Sequence, residues 1–209
     1  MNTRKNTEAE KVELAKILHN IDALNFGLFK LTSGKVSPYY IDLRIVPSFP
    51  DAFRKICDFY GEAITSQVGL KNFDRIAGVP IAGIPFASQI AYNLRKPFLY
   101  VRKGARLHGR QRRVEGILVS GDRVLLIDDL VTTGLTLKKA AKAVIAEGGV
   151  VKEAVALLDR EEGGKESLAK FGIQLHALLK ISEVANTLYE IGAIDEDSLK
   201  TIMKQIKKR

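Results

Sequence analysis

An α/β fold is predicted: a mostly parallel open sheet flanked by helices, with a small hood ahead of it. Three features predict it. From Asp74 onward, short apolar runs alternate with stretches of helical periodicity, the pattern of strands joined through covering helices. The first forty-odd residues do not follow that alternation. The chain therefore divides into an N-terminal helix and hood over residues 1–48 and an α/β core with C-terminal helices over residues 49–209, packed as one structural unit. At the centre stands Val124-Leu125-Leu126-Ile127-Asp128-Asp129-Leu130-Val131-Thr132-Thr133-Gly134-Leu135-Thr136. An apolar run, two adjacent carboxylates, a hydroxyl-bearing bend and then apolar positions at helical spacing read as strand, loop and helix.

In chain order, Thr7-Glu8-Ala9-Glu10 has the form of a capping box, and Val12, Leu14, Ala15, Leu18 and Ile21 carry an amphipathic helix to about Leu24. Thr32-Ser33-Gly34-Lys35 is a turn between two short strands within residues 26–40. Pro50 opens a helix running to about Gln67, at a position where its missing N–H is harmless. Then come a strand at 75–79, a loop at 80–83, a helix at 84–94 and a strand at 97–102. After a basic loop follow a short strand near Ile117, the Val124 strand and a helix to Glu147 stopped by Gly148-Gly149. A strand at 152–158, a helix at 165–171, a strand at 174–179 and two terminal helices complete the chain.

At 209 residues with 46% hydrophobic and 27% charged residues, the chain is long enough for a substantial core and has the make-up of a globular protein. No apolar run approaches membrane-spanning length and no apolar signal region follows Met1, so a cytoplasmic protein without membrane association is expected. The single cysteine, Cys57, shares a helical face with Phe53, Ile56, Tyr60 and Ile64 and reads as a buried structural thiol. His176 lies in an apolar strand and reads as a satisfied core residue; three scattered histidines and one cysteine make no zinc site.

Thirty-three Lys and Arg against twenty-four Asp and Glu give a net charge of +9, which favours anionic partners. Nucleic acid and a polyphosphorylated small molecule both qualify, and charge placement separates them. Arg102, Lys103, Arg106, Arg110, Arg112 and Arg113 crowd into one glycine-bearing loop, where mutual repulsion predicts a mobile flap that settles on an anion. The lysines of the last helix form a solvated face.

Asp128 and Asp129 are acceptor-only groups suited to vicinal hydroxyls. The bend at residues 132–136 combines hydroxyls, main-chain N–H groups and the positive end of a helix dipole, which suits a phosphate monoester. A diol beside a phosphate describes a ribose 5-phosphate. A P-loop nucleotidase is the competing reading, but Gly34-Lys35 is followed by Val36 and Phe29 stands where the first glycine belongs. Pro80, Ile81, Ala82 and Gly83 form a second bend between strand and helix, a common form whose glycine lets the backbone come close to a ligand at a second helix N-terminus.

The Val124–Thr136 string resembles the 5-phosphoribosyl-1-diphosphate (PRPP) motif of type I phosphoribosyltransferases. With the string Phe26-Gly27-Leu28-Phe29-Lys30-Leu31-Thr32-Ser33-Gly34-Lys35-Val36-Ser37-Pro38-Tyr39-Tyr40-Ile41-Asp42, the Gly78 loop, the basic loop and Asp159-Arg160-Glu161-Glu162-Gly163, the chain resembles the orotate phosphoribosyltransferases. The resemblance implies the type I phosphoribosyltransferase fold and Mg²⁺-dependent transfer of phosphoribose from PRPP to orotate, giving orotidine 5′-monophosphate and pyrophosphate. It implies that Asp128 and Asp129 hold the ribose hydroxyls, that Thr132, Thr133, Gly134 and Thr136 hold the 5′-phosphate with Leu130, Val131 and Leu135 also at PRPP, that Pro80, Ile81, Ala82 and Gly83 cradle pyrophosphate, and that Arg160, Tyr40, Thr32, Ser33, Gly34 and Thr132 surround orotate. Arg102, Lys103, Arg106 and His108 are implied to close on pyrophosphate, with Lys103, Arg106, His108, Asp128 and Asp129 as the catalytic set. No residue is implied to ligate the metal directly, since Mg²⁺ is held through PRPP and water. A homodimer whose lid crosses to the neighbouring site is implied too.

Three positions depart from the bacterial pattern: Arg106, Thr32 and Ala82 stand where many or some members carry lysine. Arginine keeps the charge but is no proton donor near neutral pH, so electrostatic stabilisation is the role left to Arg106. A purine or uracil phosphoribosyltransferase, and a PRPP-sensing nucleic-acid-binding regulator without turnover, are the alternatives. The hood string and Arg160 speak against the first; the lack of a winged-helix module or an aromatic-studded basic face speaks against the second.

Overall fold

The computed structural model describes residues 8–30, 36–104 and 112–207. Helix α1 (Glu8–Asn20) leads into a two-stranded antiparallel sheet of β1 (Leu24–Lys30) and β2 (Val36–Ile41). Leu24 pairs with Ile41 and Lys30 with Val36, with an irregularity between Phe26 and Phe29 where Gly27 adopts φ +149°. Leu24 and Tyr39 are buried against the main core, so this small sheet is fastened to the body of the protein through its apolar side. A 3₁₀ turn (Leu43–Ser48) and α2 (Pro50–Ala63) follow, the helix continuing through a wider turn (Ile64–Val68) to Gly69 at φ +85°.

The main sheet contains β3 (Arg75–Gly78), β4 (Phe98–Val101), β5 (Val114–Glu115), β6 (Val124–Val131), β7 (Glu153–Asp159) and β8 (Gln174–Lys180), in the spatial order β5-β4-β3-β6-β7-β8. All neighbours are parallel except β4 and β5. Helices α3 (Gly83–Asn93), α4 (Leu135–Ala146) and α5 (Gly164–Lys170) make the crossovers, and α6 (Ile181–Glu190) and α7 (Glu196–Lys207) close the chain. One face of the sheet is covered by α1, α2, α3 and α6 through Leu14, Tyr60, Phe86 and Val184. The other is covered by α4 and α5 through Leu137, Val144 and Leu168. A sheet buried on both faces accounts for strands that read as continuous apolar runs.

One expectation is corrected. The short strand after the basic loop is Val114–Glu115 and not near Ile117, whose side chain is 76% exposed. Tyr100 pairs with Glu115 and Val101 with Val114, and the Glu147 carboxylate accepts the N–H groups of Arg113 and Val114 at 2.8 and 3.0 Å. Partners distant in sequence fix this strand, so no local period announces it. Asp128 and Asp129 lie in the carboxyl-terminal half of β6. Pairing with β3 stops at Gly78–Ile127, while pairing with β7 runs on to Val131–Asp159. Cys57 is buried, as its helical face requires, and burial pushes its thiol up to about 12. His176 is buried with Nε2 2.7 Å from a Glu153 carboxylate oxygen and Nδ1 3.3 Å from the Gln67 side-chain oxygen.

Tyr60 ties α2 to β6. Its ring is fully buried and its hydroxyl donates to the Asp128 main-chain carbonyl at 2.7 Å. Tyr60→Phe removes that bond without opening a cavity, so a loss of about 1–2 kcal/mol of unfolding free energy is expected. In urea denaturation the midpoint falls and the slope stays constant; an unchanged midpoint refutes this role.

Candidate active site

Strand order reverses direction between β3 and β6. From β3 the chain moves outward to β4 and β5; from β6 it moves the opposite way to β7 and β8. The helices that follow leave on opposite faces, α3 on one and α4 on the other, so a crevice opens between the carboxyl ends of the two strands. There lies a cavity of about 320 Å³, lined by Pro80, Ile81, Ala82, Asp128, Asp129, Leu130, Thr132 and Thr136, with residues 41–44 as its far wall. A larger hollow of about 740 Å³ runs along α2 to the C-terminal end of α3. No strand residue lines it, so it does not lie at the carboxyl edge of the sheet and its size does not make it the site.

The crevice depends on close main-chain contact. A methyl group on Gly83 would lie 2.5 Å from the Ile127 carbonyl oxygen and 2.9 Å from Asp128 Cα; one on Gly78 would lie 2.8 Å from Ile84 Cα. Only glycine lets the first turn of α3 press against the strands. Gly78 and Gly83 thus seat the helix on the strand ends. On the other side Gly134, at φ +75°, opens α4 without any side chain capping the helix N-terminus. The first-turn N–H groups there are thus left for an anion.

Of the residues singled out from sequence, Asp128, Asp129, Leu130, Thr132 and Thr136 line the cavity together with Pro80, Ile81 and Ala82. Gly83 lies directly beneath Asp128. Val131 points into the apolar layer under α4, Thr133 is exposed and Leu135 is 56% exposed at the start of α4. Arg160 follows β7, its main-chain N–H donating to Val131 at 2.9 Å. Its guanidinium lies over the Tyr39 ring at 5.2 Å and pairs with Glu162 at 2.9 Å, while its Nε is buried without a hydrogen-bond partner. Tyr40 is partly exposed, with its ring 5.7 Å from that of Phe29.

Arg102 does not reach the cavity: it pairs with Glu115 at 3.1 Å, and Arg113 donates to the carbonyls of Arg102 and Lys103. Lys103 is exposed at the end of the described part of the loop. Thr32, Ser33, Gly34, Arg106 and His108 lie outside the described residues. Sequence reading missed Arg44 and its partner Asp42, which form the far wall; the signal available was Asp42 followed two residues later by an arginine directly after the hood strand.

Residues 51–184 match the phosphoribosyl transferase domain family. Over 192 residues the chain is 42% identical to the orotate phosphoribosyltransferase of Cenarchaeum symbiosum, covering 92% of this chain and 94% of that one. The crystal structure of orotate phosphoribosyltransferase from Aeropyrum pernix superposes with TM-score 0.75 at 32% identity, covering 87% of this chain and 99% of that one. The UMP synthase of Leishmania donovani superposes with TM-score 0.85 at 33% identity over 97% of this chain, which spans 43% of that longer protein. The chain belongs to the orotate phosphoribosyltransferase family.

In this phosphoribosyltransferase the two aspartates are electrostatically unequal. Burial pushes the Asp128 carboxyl well above the usual carboxylate range, and the charge of Asp129 adds to the shift. Burial also raises Asp129, but hydrogen bonds from Asp128 and from main-chain N–H groups, with the Arg44 charge, draw it back. The pair therefore loses its second proton only above the usual carboxylate range, with Asp128 the more strongly raised of the two. Asp42 is held below the usual range by the Arg44 hydrogen bonds.

A carboxyl whose folded-state pKa lies above its unfolded value stabilises the fold fully below about pH 4, and that stabilisation is lost as pH rises through the folded-state pKa. Asp128→Asn keeps the shape and the acceptor for the Asp129 N–H, bonded to Asp128 Oδ1 at 3.0 Å, but never ionises. In the absence of PRPP and Mg²⁺, its Tm should exceed that of the wild type at pH 7, with the gap closing toward pH 4. Equal Tm values at both pH values, in thermal melts, contradict this account.

Proposed function

We propose that the chain transfers the 5-phosphoribosyl group of PRPP to orotate, giving orotidine 5′-monophosphate and pyrophosphate, a step of pyrimidine nucleotide synthesis. The observation that carries the proposal is that the paired aspartates and the uncapped N-terminus of α4 line one cavity at the switch point of the sheet. One wall suits a ribose diol and the other its 5′-phosphate. The Pro80–Ile81–Ala82 bend at the N-terminus of α3 lies across the cavity, where a diphosphate on the anomeric carbon would project.

Displacement at that carbon passes through an oxocarbenium-like transition state, so the chain needs no nucleophile of its own. Its residues orient the ribose through Asp128 and Asp129, fix the phosphate through residues 132–136, and stabilise charge on the departing pyrophosphate. Lys103, Arg106 and His108 of the basic loop are assigned to that last task. Arg160 is assigned to the orotate carboxylate, since a planar guanidinium suits it and its Nε is buried without a partner. Leu31 to Gly34 and Tyr40 complete the base pocket in this proposal.

The family implies Mg²⁺, and the donor set fits it. Asp128 and Asp129 offer hard oxygen acceptors in the cavity, which would hold the ion through the substrate's hydroxyls and water and not by direct ligation. When bound, the ion neutralises diphosphate oxygens. A homodimer with the basic loop crossing to the neighbouring site, and a cytoplasmic location, belong to the same proposal. No helix among the described residues is long and apolar enough to cross a membrane.

Adding PRPP and Mg²⁺ to the purified chain with orotate should change orotate absorbance, whereas uracil, hypoxanthine and adenine should give no nucleotide. Arg160→Ala should raise the KM for orotate at least about tenfold while leaving that for PRPP nearly unchanged. Turnover of a purine or uracil in place of orotate, or none with any base, overturns the assignment.

A further inference from the structure

The far wall of the switch-point cavity carries a cation that neither the PRPP string nor the basic loop supplies. Asp42 caps the 3₁₀ turn after β2: its Oδ1 accepts the Arg44 main-chain N–H at 3.2 Å and Nε–H at 2.7 Å, and its Oδ2 accepts an Nη2–H at 2.7 Å. The turn is anchored by Leu43 and Val46, both buried. The guanidinium is therefore held by one edge on a fixed piece of backbone, yet its side chain is 68% exposed. A guanidinium carries five N–H donors in a rigid fork; the clamp uses two of them and Tyr40 is a further partner, which leaves donors for a second anion.

Placement identifies that anion. Arg44 lines the cavity with Pro80, Ile81, Ala82, Asp128 and Asp129, and among the described lining residues it is the sole cation. The bend at residues 80–82 brings no positive side chain, and Arg102 is occupied by Glu115. A diphosphate resting on that bend would otherwise face three carboxylates, those of Asp42, Asp128 and Asp129. Arg160 lies outside this lining, against Tyr39, which keeps the two guanidinium groups apart.

We infer that Arg44 is a further catalytic residue, one that contacts the diphosphate of PRPP and offsets the negative charge that pyrophosphate gains as it leaves, with Asp42 as its positioning residue. This role rests on the phosphoribosyl transfer proposed above. The step balances: the anomeric C–O bond breaks with its electron pair going to the diphosphate oxygen, the orotate N1 pair forms the new C–N bond with loss of its N–H proton to water or diphosphate, and the permanently charged guanidinium stabilises the leaving group without giving or taking a proton.

The test is calorimetric titration of inorganic pyrophosphate with Mg²⁺ into the full chain, for wild type, Arg44→Ala, Arg44→Lys and Asp42→Asn, beside KM values for PRPP and orotate. Arg44→Ala should weaken pyrophosphate binding and raise the KM for PRPP about ten- to a hundredfold, leaving the KM for orotate within about twofold. Arg44→Lys, which keeps the charge and loses the fork, and Asp42→Asn, which keeps the fork and loosens it, should fall between. Unchanged pyrophosphate affinity in Arg44→Ala, or a rise confined to the orotate KM, overturns the inference. If the wild type forms no orotidylate while Arg44→Ala still loses pyrophosphate, the Arg44 contact stands and the proposed acceptor base is what fails.

Discussion

The first turn of α3 meets β6 with no room for a methyl group at Gly83, and the site is shaped by that contact. Because Gly83 lies against the Ile127 carbonyl and Asp128 Cα, the bend at residues 80–82 is carried close beside the aspartates. β3 ends at this level while β6 continues along β7, so the carboxylates emerge where one neighbour has stopped and the other still holds the strand straight. Tyr60 reaches from α2, on the same face of the sheet as α3, to the Asp128 carbonyl and fixes the same strand. A polar pair is thus presented by a fully buried scaffold, and geometry is set before any ligand binds.

That rigidity has an electrostatic cost. Burial of Asp128 beside Asp129 disfavours the doubly ionised pair, although accepting two ribose hydroxyls requires acceptors. The free protein stores unfavourable charge at the place where substrate hydroxyls, and cations arriving with the substrate, relieve it. The net charge of +9 says little about this cavity, whose lining holds three carboxylates and Arg44. Local charge, not the total, decides what the crevice can hold.

Much of this was legible in the sequence wherever the signal is local. Apolar runs that end in Asp128-Asp129, the helical period after Gly134 and the one-faced pattern of Phe53, Ile56, Cys57 and Tyr60 each depend on neighbours a few residues away. The family resemblance carried by the hood and PRPP strings added the substrate class. What escaped depends on distant partners. β5 exists because Val101 and Glu147 hold Val114, and Arg44 becomes part of the site only because the turn after β2 folds over the end of β6. That residues 78 and 83 must be glycine to seat a helix is visible only once α3 lies on the sheet.

The central claim is that one crevice at the end of β6 grips a sugar phosphate by its diol and by its phosphate at once. A crystal structure of the chain with PRPP and Mg²⁺ tests it most directly. The account predicts ribose hydroxyls within hydrogen-bond distance of Asp128 and Asp129, with the 5′-phosphate on the N–H groups of residues 132–136. PRPP bound at another place, with this crevice empty, would contradict it.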